Sequence, residues 1–238
     1  MTERRFRVEG PYVVGECISL PAEILHHVRV LRLRDGQSVT TFDGQGREAS
    51  AILEGTSVRV TSSRVASEER ARVVLMFGMP RASVFDAALR DLTEVGVSEV
   101  RPFFAERSTA KDERDRAAHK MERWQRIVRE ASRQCERPRE PLVFAPTSLR
   151  ELLLQRPEAS LLRMFDARRG DDLVSSIAPS AREVWLVIGP EGGLSEKEMT
   201  TLREAGAEPA RLHLPVMRAE TAAVVITALV VEHLAHHP

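Results

Sequence analysis

The chain has little cysteine, no net charge and no long apolar run. Cys17 and Cys135 are its two cysteines in 238 residues, and neither has metal-ligand spacing around it. That argues against a disulfide framework and a cysteine-built zinc site, and it fits unpaired thiols in a reducing cytoplasm. The longest apolar stretch, Ala222 to Val231 broken by Thr227, is far shorter than the roughly 20 residues that cross a bilayer. No signal peptide opens the sequence, so a cytoplasmic protein with no membrane partner is expected. Basic and acidic residues balance at 35 each, which argues against a generally basic nucleic-acid binder. No Walker A motif, G-x-G-x-x-G fingerprint, Ser-His-Asp order or Cys-His nucleophile pair stands out. His233 and His237 have i,i+4 spacing but no third ligand, so no metal is expected.

The charge that is present is unevenly spread. From Arg101 to Arg139, twelve basic residues face seven acidic ones, a local excess of +5. This segment is either a phosphate-neutralising surface or a solvated helix face laced with ion pairs. His26 and His27, beside Arg29, Arg32 and Arg34, form either a basic strip or the wet face of a helix.

Turn punctuation divides the chain. Over residues 1–70, strands are expected at Arg5–Val8, Tyr12–Ile18, Ser38–Phe42, Glu48–Leu53 and Ser57–Ser63, with one helix starting at Pro21. Ile24, Leu25, Val28 and Leu31 mark one face of that helix. Short strands with one helix suggest a small β-barrel. Over residues 71–238, strands at Val73–Gly78, Val97–Phe104, Leu161–Phe165, Val184–Ile188 and Arg211–Leu214 alternate with helices, among them Ser83–Val95 and Arg114–Arg133. Such alternation implies an α/β domain with a mostly parallel sheet covered on both faces.

Two late segments stand out for chemistry. Gly189-Pro-Glu-Gly-Gly193 follows a buried-looking strand, and Ser195 to Glu198 then has capping-box spacing. The segment is either a plain turn or a loop that lets a ligand approach the backbone, such as an adenosyl group. Leu212 to Ala222 leads into the last helix. Glu220 suits the positive end of a helix dipole, but Arg218 adds charge to an end already positive, so an anionic ligand is expected beside it. Loops of this kind converge at the carboxyl edge of a parallel sheet.

Taken in order, these blocks resemble the ribosomal RNA small subunit methyltransferase E family, SPOUT-class enzymes that methylate N3 of a uridine in 16S rRNA. The resemblance rests on Arg5-Phe-Arg-Val8, His27 to Arg32, Phe42-Asp-Gly44, Thr93 to Val97, Glu106-Arg-Ser108, Lys120 to Trp124, Glu130 to Gln134, Gly189 to Ser195 and Leu214 to Ala222. It implies a PUA-like RNA-binding barrel, a SPOUT domain with a trefoil knot, S-adenosylmethionine as cofactor, 16S rRNA or the 30S subunit as partner, and a homodimer. Carried over by position, Phe165, Asp166, Ile188, Gly189, Pro190, Glu191, Gly193, Leu212, His213, Leu214, Val216 and Met217 would hold the cofactor. Arg218 and Glu220 would be catalytic, and Arg5, Arg29, Arg32, Arg107, Arg123 and Arg137 would face RNA. The chain departs from the family at His213-Leu214-Pro215, where Gly-Pro-Arg is usual, and at Asp91, where lysine is common. Two further readings are a SPOUT-fold RNA-binding or assembly protein without activity, and a SPOUT methyltransferase acting on another RNA.

Overall fold

The computed structural model describes residues 4–66, 71–108 and 117–236. Two compact units emerge. The first holds residues up to Glu68 together with Arg129–Glu140, and the second holds Glu69–Val128 and Pro141 onward.

The first unit contains β1 (Arg4–Arg7), β2 (Cys17–Ser19), α1 (Ala22–Val30), β3 (Ser38–Phe42), β4 (Arg47–Glu54) and β5 (Ser57–Val65). The sheet order is β1-β3-β4-β5-β2, with β1 parallel to β3 and the remaining pairs antiparallel. Period-2 alternation sends Phe6, Val39, Ala51, Leu53 and Val58 into one core, where they meet Val28 of α1. The expected strand Tyr12–Ile18 shortens to β2. Turn hydrogen bonds from Val13 N–H to Pro11 O and from Glu16 N–H to Val13 O use the backbone that a ladder would need. The segment after residue 134 is fastened to this unit by Gly46 N–H donating to Pro138 O and Glu140 N–H donating to Gly44 O, both at 2.9 Å.

The second unit contains β6 (Arg72–Gly78), α2 (Ala82–Glu94), β7 (Glu99–Phe103), most of α3 (Ala117–Gln134), β8 (Leu142–Val143), α4 (Leu149–Gln155), β9 (Leu161–Phe165), β10 (Asp171–Asp172), β11 (Glu183–Ile188), α5 (Glu196–Glu204), β12 (Glu208–Arg211) and α6 (Ala219–His236). Its seven strands run β10-β12-β9-β11-β6-β7-β8, every pair parallel. Strand β6 shows why its sequence is a continuous apolar run. Val73, Leu75 and Phe77 enter the core with α2, α3 and α6, while Val74 and Met76 enter the opposite core with α4 and α5. A strand buried on both faces has no polar side to offer.

Two expectations for this unit shift. No helix follows β9; instead β10 and a turn that buries Leu173 and Ile177 fill the connection. The strand expected at Arg211–Leu214 is β12, three residues earlier. It ends because Leu212 turns into the core and Pro215 has no N–H to donate. The expected start of α3 at Arg114, and the basic residues Lys111, Arg114 and Arg116, lie outside the described residues, as does His237. Helix α6, at 18 residues, is long and apolar enough by length and composition to cross a membrane. Its Ala223, Ile226, Val230 and Leu234 are nonetheless core residues packed with β6 and α2.

Candidate active site

Strands β9, β11 and β6 are neighbours, so their carboxyl ends, Phe165, Ile188 and Gly78, lie side by side. The loops leaving β9 and β11 and the entry to α6 enclose a cavity of about 950 Å³. Its apolar wall includes Met164, Phe165, Ile188, Leu194, Met199 and Met217, and its charged groups are Arg81, Arg107, Arg168, Arg218, Asp166, Glu191 and Glu220. A large cleft that combines an apolar wall with convergent polar groups is a form that cofactor sites take.

Each loop is held by its own sequence. The Asp166 carboxylate accepts from the backbone N–H of Arg168 and Arg169, at 2.8 and 3.2 Å, which curls the chain straight after β9. After β11, Gly193 N–H donates to Pro190 O at 2.8 Å to close a tight turn, and Gly193 takes φ +70°. Nothing lies within 4 Å of where a Gly193 Cβ would stand, so backbone there borders open space. Ser195 and Glu198 then form the expected capping box at the start of α5. Glu198 is buried, and its second oxygen accepts from Glu106 N–H at 2.9 Å. At α6, Arg218 O accepts the first-turn bond from Ala222 N–H, so the Arg218 side chain stands at the positive end of the helix.

The cavity gathers Phe165, Asp166, Ile188, Gly189, Pro190, Glu191, Gly193, Met217, Arg218 and Glu220. Leu212, His213, Leu214 and Val216 are not among its lining. Leu212 is packed in the core, whereas His213, Leu214 and Val216 are exposed. The family's departure at residues 213–215 therefore falls on a stretch outside this wall.

The cationic positions separate. Arg107 lines the cavity, and its guanidinium donates to Gly192 O and Leu194 O, at 3.3 and 3.2 Å. Arg123 pairs with Asp86 and remains largely exposed. Arg5 pairs with the buried Glu48 in the first unit. Arg29 and Arg32 are exposed at and just beyond the end of α1, and Arg137 follows α3 in the first unit. Part of the basic excess is structural, since Arg101 bonds Glu99 and stacks on Phe144 at 3.9 Å. Arg81, Val84, Met164, Arg168 and Met199 also line the cavity and carried no motif. Arg81 and Val84 had one signal, their position just past the carboxyl end of β6. His233 bonds Ile177 O, and no group of three metal-ligating side chains occurs among the described residues.

Comparison with known proteins bears directly on this cavity. Residues 67–231 match the RNA methyltransferase domain family, and residues 20–60 match the RNA methyltransferase PUA domain. A Synechocystis protein named ribosomal RNA small subunit methyltransferase E is 30% identical over 235 residues, covering 94% of this chain and 76% of the relative. The chain belongs to the ribosomal RNA small subunit methyltransferase E family. The Bacillus subtilis member is 29% identical, with 86% of this chain and 85% of the relative aligned. A Neisseria gonorrhoeae member solved with S-adenosylmethionine bound superposes with TM-score 0.86 at 28% identity, over 95% of this chain and 96% of that one. A Legionella pneumophila protein solved with the same cofactor gives TM-score 0.84 at 28% identity, over 99% and 98%. The first unit is accordingly PUA-like and the second SPOUT-type.

The cavity suits that cofactor on its own evidence. It has the volume, the apolar wall for an adenine and the open backbone at Gly193, and it offers Asp166, Glu191 and Glu220 to a cationic group.

Proposed function

We propose that this protein methylates ribosomal RNA with S-adenosylmethionine, and that the atom modified is N3 of a uridine in 16S rRNA, free or within the 30S subunit. The observation that carries this reading is the convergence of the β9 and β11 loops and the α6 entry on one cavity, in a chain of this family.

The cofactor, when bound, supplies an electrophilic methyl group. The protein's own residues must hold the base and manage its proton. Uracil N3 is a poor nucleophile until its proton leaves, and the anion then carries charge on the ring. Arg218, at the positive end of α6, stabilises that charge or an adjacent phosphate. Glu220, the second residue of α6 and part of the same cavity wall, takes the N3 proton. Met164, Phe165, Ile188 and Leu194 exclude water, which strengthens both interactions. The uridine reaches them by leaving its stack.

Two architectural readings go with this. Membership of the family supports a trefoil knot in the second unit, as the SPOUT class implies. Helix α6 leaves Leu229 exposed, with Val225 and Ala228 half-buried, an apolar strip that a second copy would cover in a homodimer. A cytoplasmic location follows from the substrate.

Mapping methylated positions in rRNA from cells with and without the gene tests the assignment. Loss of one uridine-N3 methyl group in 16S rRNA is expected. A missing methyl elsewhere would assign a different RNA site. Calorimetry with S-adenosylmethionine separates enzyme from assembly protein, since saturable binding is expected of the enzyme alone. Arg218→Ala retaining full methyl transfer and full RNA binding would remove that residue from the mechanism.

A further inference from the structure

We propose that Glu198 is a positioning residue for the cofactor loop. Its buried carboxylate fastens the turn after β7 to the loop after β11, and so holds Gly189–Leu194 in its binding shape. The proposal rests on reading the cavity beside that loop as the methyl-donor site, and it concerns what holds the loop rather than what the loop touches.

The plain alternative is an ordinary capping box, for which Ser195 to Glu198 has the spacing. A second box in the same unit, at α4, shows what that role requires. There Glu151 is exposed, and its Oε2 accepts from Ser148 N–H, the Ser148 hydroxyl and the Thr147 hydroxyl, all within four residues. Glu198 is built differently. It is 7% exposed, and its two oxygens diverge. Oε2 accepts from Ser195 N–H at 2.8 Å, whereas Oε1 accepts from Glu106 N–H at 2.9 Å, 92 residues away. One oxygen completes the cap. Burying a carboxylate costs free energy, so a second bond made to another loop needs a reason of its own.

Two further contacts join the same two loops. Arg107, the neighbour of Glu106, donates through Nη1 to Gly192 O and Leu194 O. Gly192 lies so close that a Cβ on it would stand 3.0 Å from Arg107 Cβ and 3.1 Å from Arg107 O. The turn that makes these contacts is itself closed. Ser108 N–H donates to Ala105 O at 3.0 Å, and the buried Ser108 hydroxyl accepts from Ala105 N–H at 3.2 Å. A fixed turn thus meets the glycine-rich loop at Gly192, Leu194 and Glu198, while the Cβ direction of Gly193 opens into free space. Three glycines within Gly189–Gly193 would otherwise sample many conformations. Fixing them beforehand spares the cofactor that entropic cost.

Glu198→Gln is the test, because glutamine also serves at this position of a capping box but accepts through one oxygen only. Whichever way its amide turns, the side chain no longer accepts from both loops. Calorimetry with S-adenosylmethionine should show binding weakened by about 5- to 30-fold in Glu198→Gln. The same change in the other box, Glu151→Gln, should leave affinity within about twofold of wild type. By hydrogen exchange without cofactor, Gly193 N–H, bonded to Pro190 O, should exchange faster in Glu198→Gln than in wild type or Glu151→Gln, and S-adenosylmethionine should restore its protection. Gly192→Ala presses on Arg107 from the loop side and should weaken binding by a similar factor; if Glu198→Gln does not fold, this variant decides, and wild-type affinity in it overturns the proposal. Unchanged affinity or unchanged Gly193 exchange in a folded Glu198→Gln would overturn it too, as would equal losses in Glu198→Gln and Glu151→Gln. A wild-type protein that binds no S-adenosylmethionine would strike the methyltransferase reading instead, and Gly193 exchange would still report on the brace.

Discussion

Gly78 gives the sharpest test of how the candidate active site is built. It ends β6 directly beneath the loop that leaves β11. A Cβ on Gly78 would stand 2.6 Å from Pro190 Cδ, 2.7 Å from Pro190 N and 3.0 Å from the carbonyl carbon of Gly189. Ordinary carbon contacts begin near 3.4 Å, so Pro190 must retreat by about 0.8 Å. The atoms met are backbone and a proline ring, which have no rotamer to escape into. The strain therefore passes into Glu191–Gly193, the stretch that borders the cavity. Overpacking of this kind costs about 1–3 kcal/mol. We expect Gly78→Ala to lower the urea midpoint by a corresponding amount and to weaken S-adenosylmethionine binding at least about tenfold by calorimetry. The two readouts must move together, because one displacement causes both. Wild-type stability and wild-type affinity in Gly78→Ala would show that the loop is not fixed from below.

Other consequences follow from named contacts. Glu198→Ala removes the acceptor for both Ser195 N–H and Glu106 N–H, and should destabilise the fold by about 2–4 kcal/mol in urea unfolding; a loss below 1 kcal/mol would mean that water replaces it freely. Arg107→Ala should weaken cofactor binding by about 3- to 10-fold, with partial rescue by Arg107→Lys, because two carbonyls lose their donor. An effect on RNA affinity alone would return Arg107 to the RNA-facing role. Burial opposes ionisation of Asp43, but hydrogen bonds from Gln45 N–H, Arg47 N–H and the Arg47 side chain outweigh it and hold the carboxyl below 3.8. Its stabilising contribution is therefore present above pH 3.8 and lost as pH falls through its lower folded value. Asp43→Asn should cost stability at pH 7 and flatten that acid limb, as urea midpoints across pH would show. Glu140 has the opposite sign, since burial outweighs Arg7 and raises its pKa. Its contribution is greatest at low pH and declines as pH rises through the raised value.

What was legible in the sequence was whatever local spacing enforces. The apolar runs of β6 and β11 announce two buried faces, and Ser195 to Glu198 announces the start of α5 through neighbours three residues apart. What was hidden depends on partners far along the chain. Arg107 reads as one more cation in a basic stretch because the carbonyls it serves are 85 and 87 residues away. Arg101 reads the same way until Glu99 and Phe144 are seen around it. The periodicity of α3 shows an apolar stripe but not which core receives it. Trp124 and Val128 enter the second unit, whereas Ala131 and Ser132 are buried in the segment belonging to the first. The end of β12 was likewise set by the burial of Leu212 rather than by β propensity.

The pairing of β6 with β11 has a consequence for how the protein comes into being. Arg72 and Glu183 are 111 residues apart, yet they open the same central ladder. When β6 leaves the ribosome, the strand that will cover one of its edges has not been made. The cavity wall then waits still longer, for Met217 to Ala222. A nascent chain therefore carries β6 with one edge uncovered until β11 emerges, and gains the last wall of the candidate site only when Met217 to Ala222 follow. Folding here waits on strands and a helix far downstream of β6, so termination before α6 leaves the candidate site without one wall.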